Sequence, residues 1–466
     1  MIPVSFFAGR KLAVVGAGLS GLATARSLVE GGAEVVVWDD KDAGRDQAAD
    51  AGFTVEDLSE ADFGSFAALA LAPGIPLTHP EPHWSVKKAR AAGIEVIGDV
   101  ELFFRARKAS GADCKVVAIT GTNGKSTTTA LTAHLLEQAG RDVALGGNIG
   151  KAVLDLAPFA PGRVYVLELS SYQIDLTPSL KPDAAALLNI TPDHLDRHGS
   201  LEGYAGVKAR IFARLGPDAT AVIGVDDVPC QAIAETLNGP FAVKRISISG
   251  AVQNGVWASD ATLMEMEGGQ EVARADLAGI GSLRGAHNWQ NAAAAYALAR
   301  SQGVEPDVLQ EGLRSFGGLA HRMEQVGKAG KVLFVNDSKA TNADAAGKAL
   351  GSFDTIYWIA GGVAKEGGLA GLEPFYPRIA RAYLIGEASD AFAAQLGDSI
   401  PHTACETLDR AVAQAAEDAG KSQADEPVVL LSPACASFDQ YPNFAKRGDA
   451  FKQLVMQRNG VTSLDE

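Results

Sequence analysis

KVVAITGTNGKSTTTALTAHLL, residues 115–136, places an apolar β-branched run, a polar glycine turn and a segment of helical character in succession. That order predicts a strand, a phosphate loop and a helix whose positive N-terminal end faces the loop. Gly121 and Gly124 let the backbone around Thr122 and Asn123 turn its N–H groups onto an anion. Lys125 adds a movable ammonium for the outer phosphates, the Ser126 hydroxyl is a candidate Mg²⁺ ligand, and Thr127 continues into the helix. Ile119 stands where the usual G-x-x-x-x-G-K-[ST] spacing has its first glycine, so a purely structural turn is the plain alternative.

Upstream, KLAVVGAGLSGLATARSLVEGGAEVVVWDD (11–40) reads as strand, glycine turn, helix, strand. Gly16, Gly18 and Gly21 spell G-x-G-x-x-G, with Leu19 and Ser20 opening the helix and Asp39 closing the second strand. The pattern reports a diphosphate at a helix N-terminus, with an acid for a ribose hydroxyl. NAD, FAD or a UDP group would satisfy it equally, and a structural turn is the plain reading. LALAPGIPLTHP (69–80) predicts a strand whose Pro73-Gly74 end is a ligand-binding edge. RKASGADC (107–114) is a small-residue linker.

Downstream, GGNIG (146–150) carries the amide Asn148, and VYVLELSSYQI (164–174) is a strand delivering Glu168. AALLNITPDHLDRH (185–198) is another strand, ending in Asp193, His194, Asp196 and His198. A carboxylate and an imidazole at strand ends near a phosphate loop suit Mg²⁺, the carboxylate better than the imidazole, with a solvated polar loop as the alternative. Lys208 lies in an amphipathic helix within SLEGYAGVKARIFARL (200–215), where a lysine is ordinarily a surface charge. Asn288 and Asn291 fall three apart on the helix of RGAHNWQNAAAAYALAR (284–300), placed to reach a purine edge or to cap the helix. VLFVNDSKATN (332–342), IYWIAGGVAKEGG (356–368) and VVLLSPACASFDQYPNFAKRG (428–448) each run from an apolar strand into a polar turn.

The chain of 466 residues is long enough for roughly three cores. We expect an α/β protein of three domains: a Rossmann-like one over 1–105, a central P-loop ATPase-like one with a parallel sheet over 106–315, and a Rossmann-like α/β one over 316–466. A net charge of −15 argues against nucleic acid and anionic membrane as partners. No secretory signal or spanning run is apparent, and four scattered cysteines (114, 230, 405, 435) suit a reducing cytoplasm. Cys435 reads as a small buried apolar residue rather than a nucleophile.

TGTNGKST, ELSSYQ, NITPDHLDRH, HN-x-x-N, HR at 321–322, NDSKATN and SPACASFDQYPNF, with GAGLSGLA and APGIP before them, resemble the Mur ligase family over nearly the whole chain. NDSKATN with SPACASFDQ resembles its D-glutamate-adding branch. The resemblance implies ATP-dependent amide-bond formation in cytoplasmic peptidoglycan synthesis, with an acyl phosphate made from the L-alanyl carboxylate of a UDP-muramoyl substrate and attacked by the D-glutamate amine. It implies a monomer and small-molecule substrates. It assigns residues 121–127 with Asn288, Asn291, Arg322 and Asp337 to ATP. Two Mg²⁺ ions would use Ser126, Glu168, His194 and Lys208 as a carbamate. Gly16, Gly18, Leu19, Ser20, Asp39, Asp40, Gly74 and Asn148 would hold the UDP substrate, and Thr341, Lys365, Ser437, Phe438 and Phe444 would hold D-glutamate. Ala72 departs from the family's serine before Pro-Gly, and GGVAK (361–365) from its Gly-Gly-Asp-Gly-Lys.

Sister ligases for L-alanine, a diamino acid or a D-alanyl dipeptide are the near alternatives. Folylpolyglutamate synthetase resembles the later two domains but has no counterpart of residues 1–105. An NAD-dependent dehydrogenase, or a non-catalytic sensor of UDP-muropeptides, would come from other classes; the dehydrogenase leaves the phosphate loop without a task.

Overall fold

A computed structural model describes residues 1–464. Each predicted domain carries its own sheet. The first holds β1 (Lys11–Val15), β2 (Glu34–Trp38), β3 (Thr54–Val55), β4 (Ala68–Leu71) and β5 (Glu95–Ile97), all parallel in the order β3-β2-β1-β4-β5. Chain order reverses on either side of β1, so the Gly16 turn and the Pro73-Gly74 loop open side by side at a switch point.

The second sheet holds β6 (Lys115–Thr120), β7 (Val143–Gly147), β8 (Val164–Glu168), β9 (Ala184–Leu187), β10 (Thr220–Gly224), β11 (Ala242–Ser247), β12 (Gly255–Ser259), β13 (Thr262–Glu267) and β14 (Gln270–Asp276). Its order is β14-β13-β12-β11-β10-β9-β6-β8-β7. β6 sits between β8 and β9, and all three pair in parallel. The expected parallel sheet therefore holds through β12, but β13 and β14 extend it as an antiparallel meander. Asp260-Ala261 and Gly268-Gly269 turn those hairpins with positive φ at both residues.

The third sheet holds β15 (Glu324–Ala329), β16 (Val332–Asn336), β17 (Ile356–Gly361), β19 (Ile379–Ile385), β20 (His402–Glu406), β21 (Val428–Leu431) and β23 (Val461–Ser463), while β18 (Val363–Ala364) and β22 (Cys435–Ala436) form a separate two-stranded ladder. The strands read as ending in polar turns, β16, β17 and β21, are neighbours in the order β17-β21-β16.

Two compact units emerge instead of three separated cores: 1–276 with 290–313, and 277–289 with 314–466. The first two sheets share one unit because apolar residues from both, such as Val14 and Val116, belong to one buried cluster. The Ile2 N–H also donates to the Leu154 carbonyl (2.8 Å), and Arg26 pairs with Asp155. The predicted linker is shorter than RKASGADC, since the helix Asp99–Ser110 runs through half of it and ends at Gly111 with φ +62°. All four cysteines are free and buried, and burial pushes the Cys435 thiol up to about 12, as its small-apolar reading expects. Among the described residues no helix is long and apolar enough to cross a membrane.

Candidate active site

β6 ends at Thr120 and the helix Lys125–Gln138 begins five residues later, so the chain between must fold tightly. Gly121 (φ +156°) and Gly124 (φ +81°) allow it; a Cβ on Gly124 would also collide with the Asn291 carboxamide. That helix begins with no side-chain cap, leaving its positive end to the loop. Asn189, at the end of the neighbouring strand, fixes the loop by accepting from Thr122 N with its carbonyl and from Asn123 N with its side chain, both at 2.9 Å. Lys125 Nζ lies back over the loop, donating to the Gly121 (3.1 Å) and Thr122 (2.8 Å) carbonyls.

Glu168 ends β8 beside the loop and is 2% exposed. Its Oε1 accepts from Asn148 Nδ2 at 2.7 Å; its Oε2 is buried without a hydrogen-bond partner. Asn148 thus gives one amide N–H to Glu168. Lys208 is 1% exposed, contrary to the surface reading of a helical lysine. Its Nζ donates to Gly121 O (2.8 Å) and Thr120 Oγ1 (3.2 Å) and sits 4.6 Å from the Tyr204 ring centre. Burial first, and then the Lys125 ammonium, hold the Lys208 amine well below its ordinary range. His194 (φ +53°) packs on Tyr172; burial, opposed by Asp193 and reinforced by Lys125 and Lys208, lowers its pKa and keeps the imidazole neutral. His198, from the same cluster, is buried against Ser171 Oγ at 2.9 Å.

The donor set fits a hard divalent cation. One buried carboxylate oxygen lacks a partner, a buried serine hydroxyl opens the helix, and a neutral imidazole is near. Among the described residues no three His, Cys, Asp or Glu side chains converge. Mg²⁺ ordinarily takes one or two protein carboxylates and completes its shell with phosphate and water.

At the first sheet, the helix Leu19–Glu30 opens at Gly18, again with no side-chain cap, and Leu19 is 66% exposed. A side chain on Gly16 would collide with Ala72, and one on Gly21 with the Gly16 carbonyl, so these glycines serve close backbone packing as well. Asp39 is a strut of the turn: it accepts from Ala17 N (2.7 Å) and Lys41 N (2.9 Å). Asp40 accepts from Trp38 and Trp84 (3.2 Å each) and pairs with His83 at 2.8 Å. Gly74 O accepts from Arg197 at 2.9 Å, joining this edge to the DHLDRH segment.

In the second unit the ends of β16, β17 and β21 are gathered by Arg447, which is 1% exposed. It donates to Ser338 Oγ (3.0 Å), to the Ser338 and Cys435 carbonyls (2.9 Å each) and to those of Ala436 and Gly361. Asp337 is buried and raised to about 7 by that burial, against Ser432 Oγ (2.8 Å) and Met323 N (3.2 Å), which donate to it. Arg322 also lowers it. Ser437 Oγ is buried without a partner, an oriented polar atom suited to a ligand. Phe438 is 74% exposed, and Phe444 carries the Lys339 ammonium over its ring at 4.0 Å. Thr341 is partly exposed at the turn before the helix Ala343–Leu350. The altered GGVAK stretch pairs antiparallel with Cys435–Ala436, Val363 facing Ala436, so Lys365 and Ser437 leave opposite ends of that ladder. Asn288 donates to the Arg284 carbonyl, the helix-start contact of its plain reading, whereas Asn291 reaches Thr128 Oγ1 at 3.3 Å and faces Gly124.

Asn189, Tyr204 and Arg447 were not singled out in the sequence. Asn189 lies inside the NIT run and Arg447 follows Phe444 in an amphipathic helix, but nothing local distinguishes a buried arginine from a surface one.

Family models match three consecutive regions: a Mur ligase MurD-like N-terminal domain over 10–98, a Mur ligase middle domain over 119–299, and a Mur ligase glutamate ligase domain over 321–435. The chain is 56% identical to the UDP-N-acetylmuramoylalanine–D-glutamate ligase of Brucella abortus (strain 2308) over 463 residues, covering 99% of this chain and 98% of that one. It is 56% identical to the ligase of the same name from Rhizobium meliloti (strain 1021) over 465 residues, covering all of both. The crystal structure of UDP-N-acetylmuramate–alanine ligase from Thermotoga maritima has the same fold, with a TM-score of 0.59 at 18% identity over 95% of this chain and 98% of that one.

Proposed function

The chain belongs to the Mur ligase family, and from that premise we propose that it joins D-glutamate to UDP-N-acetylmuramoyl-L-alanine at the expense of ATP, in peptidoglycan precursor synthesis. The full-length relatives support the D-glutamate branch over its sisters, and the 10–98 match supports a ligase with a UDP-binding domain over the folate enzyme. A cytoplasmic monomer is the expected working form.

A carboxylate is a poor electrophile, so the L-alanyl carboxylate must first take the γ-phosphoryl group; the D-glutamate amine then attacks the acyl phosphate and phosphate leaves. Phosphoryl transfer between anions calls for positioned cations and donors more than for covalent help. Residues 121–127 would cradle the phosphates at the uncapped helix start, with Lys125 swinging from its loop carbonyls to the outer phosphate. Mg²⁺, held by Ser126, Glu168 and His194, would supply charge neutralisation between the reacting anions. Asn291, Asn288, Arg322 and Asp337 would hold the adenosine part; Gly16, Gly18, Leu19, Ser20, Asp39, Asp40 and Gly74 the UDP part. For D-glutamate, the partnerless Ser437 hydroxyl is the best-supported contact, joined by Thr341, Lys365, Phe438 and Phe444.

The observation that carries the mechanism is Lys208: a buried amine beside Lys125 and the Gly121 carbonyl, its pKa lowered by that burial. An amine that holds its proton loosely can release it and add CO₂ with loss of a second proton, and the resulting carbamate would put an anion able to hold a second Mg²⁺ where a cation would stand beside Lys125. A substrate panel assayed for phosphate release tests the function. Release should require UDP-N-acetylmuramoyl-L-alanine and D-glutamate together; turnover with a different amino acid in place of D-glutamate would contradict it.

A further inference from the structure

Parallel strands carry the phosphate loop at their C-terminal ends, so the N-terminal ends of β6, β9 and β10 lie on the opposite edge of the sheet, roughly 16 Å away along β6. There the first unit has a cavity of about 950 Å³. Its floor is apolar, with Phe104, Pro182, Leu215 and Ala219 buried. Its rim is basic, in a chain whose net charge is −15: Arg105, Arg107, Lys108, Lys115, Lys181 and Arg214 line it together with two acids, Asp183 and Asp218.

Two of those cations are committed to the fold. Arg105 is bidentate to Glu95 and also bonded to Glu101, all at 2.7 Å. Arg107 donates to Asp183 at 2.6 Å and to the Cys114 carbonyl at 2.7 Å. Asp183 is neutralised in turn, because it also accepts from Val116 N at 2.8 Å and has Lys115 at 3.8 Å. Lys108 and Lys181 make no ion pair among the described residues, and Arg214 gives only its Nε to a neutral acceptor, the Pro178 carbonyl. Arg107 and Lys108 stand at a helix C-terminus, where cations offset its partial negative charge. Arg214 likewise follows the helical run Leu201–Phe212, whereas Lys181 comes from a loop where no such need exists.

We infer that this cavity is a binding site for a small polyanion carrying two or more phosphate groups, held by Lys108, Lys181 and the free fork of Arg214. The volume lies in the range of small-molecule sites, and the cations line a concavity, which favours a compact phosphorylated ligand over an acidic protein surface.

The test titrates tripolyphosphate by calorimetry, in Mg²⁺-free buffer, into the full-length Lys125→Ala chain, which removes the competing cation of the phosphate loop. One site is expected, and adding Lys181→Ala with Arg214→Ala should weaken it at least about tenfold. The Lys181→Ala/Arg214→Ala pair in the otherwise unaltered chain should keep its unfolding temperature and ligase turnover. An absence of binding in the Lys125→Ala chain, an affinity unchanged by the two further substitutions, or capture of poly-glutamate but not tripolyphosphate would each overturn the inference.

Discussion

Lys208 and Arg447 are both 1% exposed, and each stands at the C-terminal edge of a sheet, yet the two units treat their buried cations in opposite ways. Arg447 is surrounded by five oxygen acceptors from three strand ends, so its charge is solvated by the protein; burial lowers it only to about 10. Lys208 has two neutral acceptors, an aromatic face and a second ammonium nearby. A guanidinium keeps its proton and ties loops together, whereas a desolvated amine holds its proton less tightly. Burial alone does not separate framework from chemistry; the number of acceptors and the charge of the neighbours do.

The largest effect expected from this contrast is on turnover. Lys208→Ala should lower kcat by about a thousandfold or more, leave the unfolding temperature near that of the unaltered protein, and regain part of its rate when acetate supplies the missing carboxylate. Undiminished activity without acetate would break the contrast. Arg447→Met should do the reverse kind of damage, costing about 3 kcal/mol or more of stability in urea denaturation because buried carbonyls lose their donor. Arg447→Lys should not restore it, since an ammonium cannot span the same acceptors.

Much of the active-site edge was legible because its residues lie at the ends of apolar strands. Glu168 and the NDSKATN, GGVAK and SPACASF turns emerge where β-branched runs stop, and parallel topology then brings them to one edge of each sheet. Lys208 was legible only through resemblance. Its own helix gives no sign that Tyr204, one turn earlier, and the phosphate loop shut it from water. Arg447 and Asn189 were missed for the same reason: their partners are 11 to 109 and 66 residues away in sequence. The shared core of the first two domains was likewise hidden, because strand periodicity shows which face is apolar but not which sheet covers it.

Among the acids, a smaller effect sharpens the comparison. Asp99 is buried with one oxygen lacking a partner, and burial raises it from 3.8 to about 6. A carboxyl raised on folding favours the folded state fully below its unfolded pKa and loses that contribution as pH climbs through the folded value. Asp99→Asn should therefore stabilise the protein by up to about 3 kcal/mol at pH 8 and leave it nearly unchanged at pH 4, as thermal unfolding at the two pH values would register. The smallest effect belongs to Tyr204→Phe, which removes the 3.3 Å contact to Thr122 Oγ1 but keeps the ring beneath Lys208. A fall in kcat of about two- to fivefold is expected, because Thr122 retains its Thr191 partner. A loss as large as that of Lys208→Ala would mean that the hydroxyl, not the amine, is the decisive group.

The most direct measurement is ¹³C NMR of the protein equilibrated with ¹³C-bicarbonate at neutral pH. A protein-bound carbamate resonance that is present in the unaltered chain and missing from Lys208→Arg is the predicted result. A spectrum without that resonance, or one in which it survives the substitution, would contradict the proposed role of Lys208 as a CO₂-accepting amine.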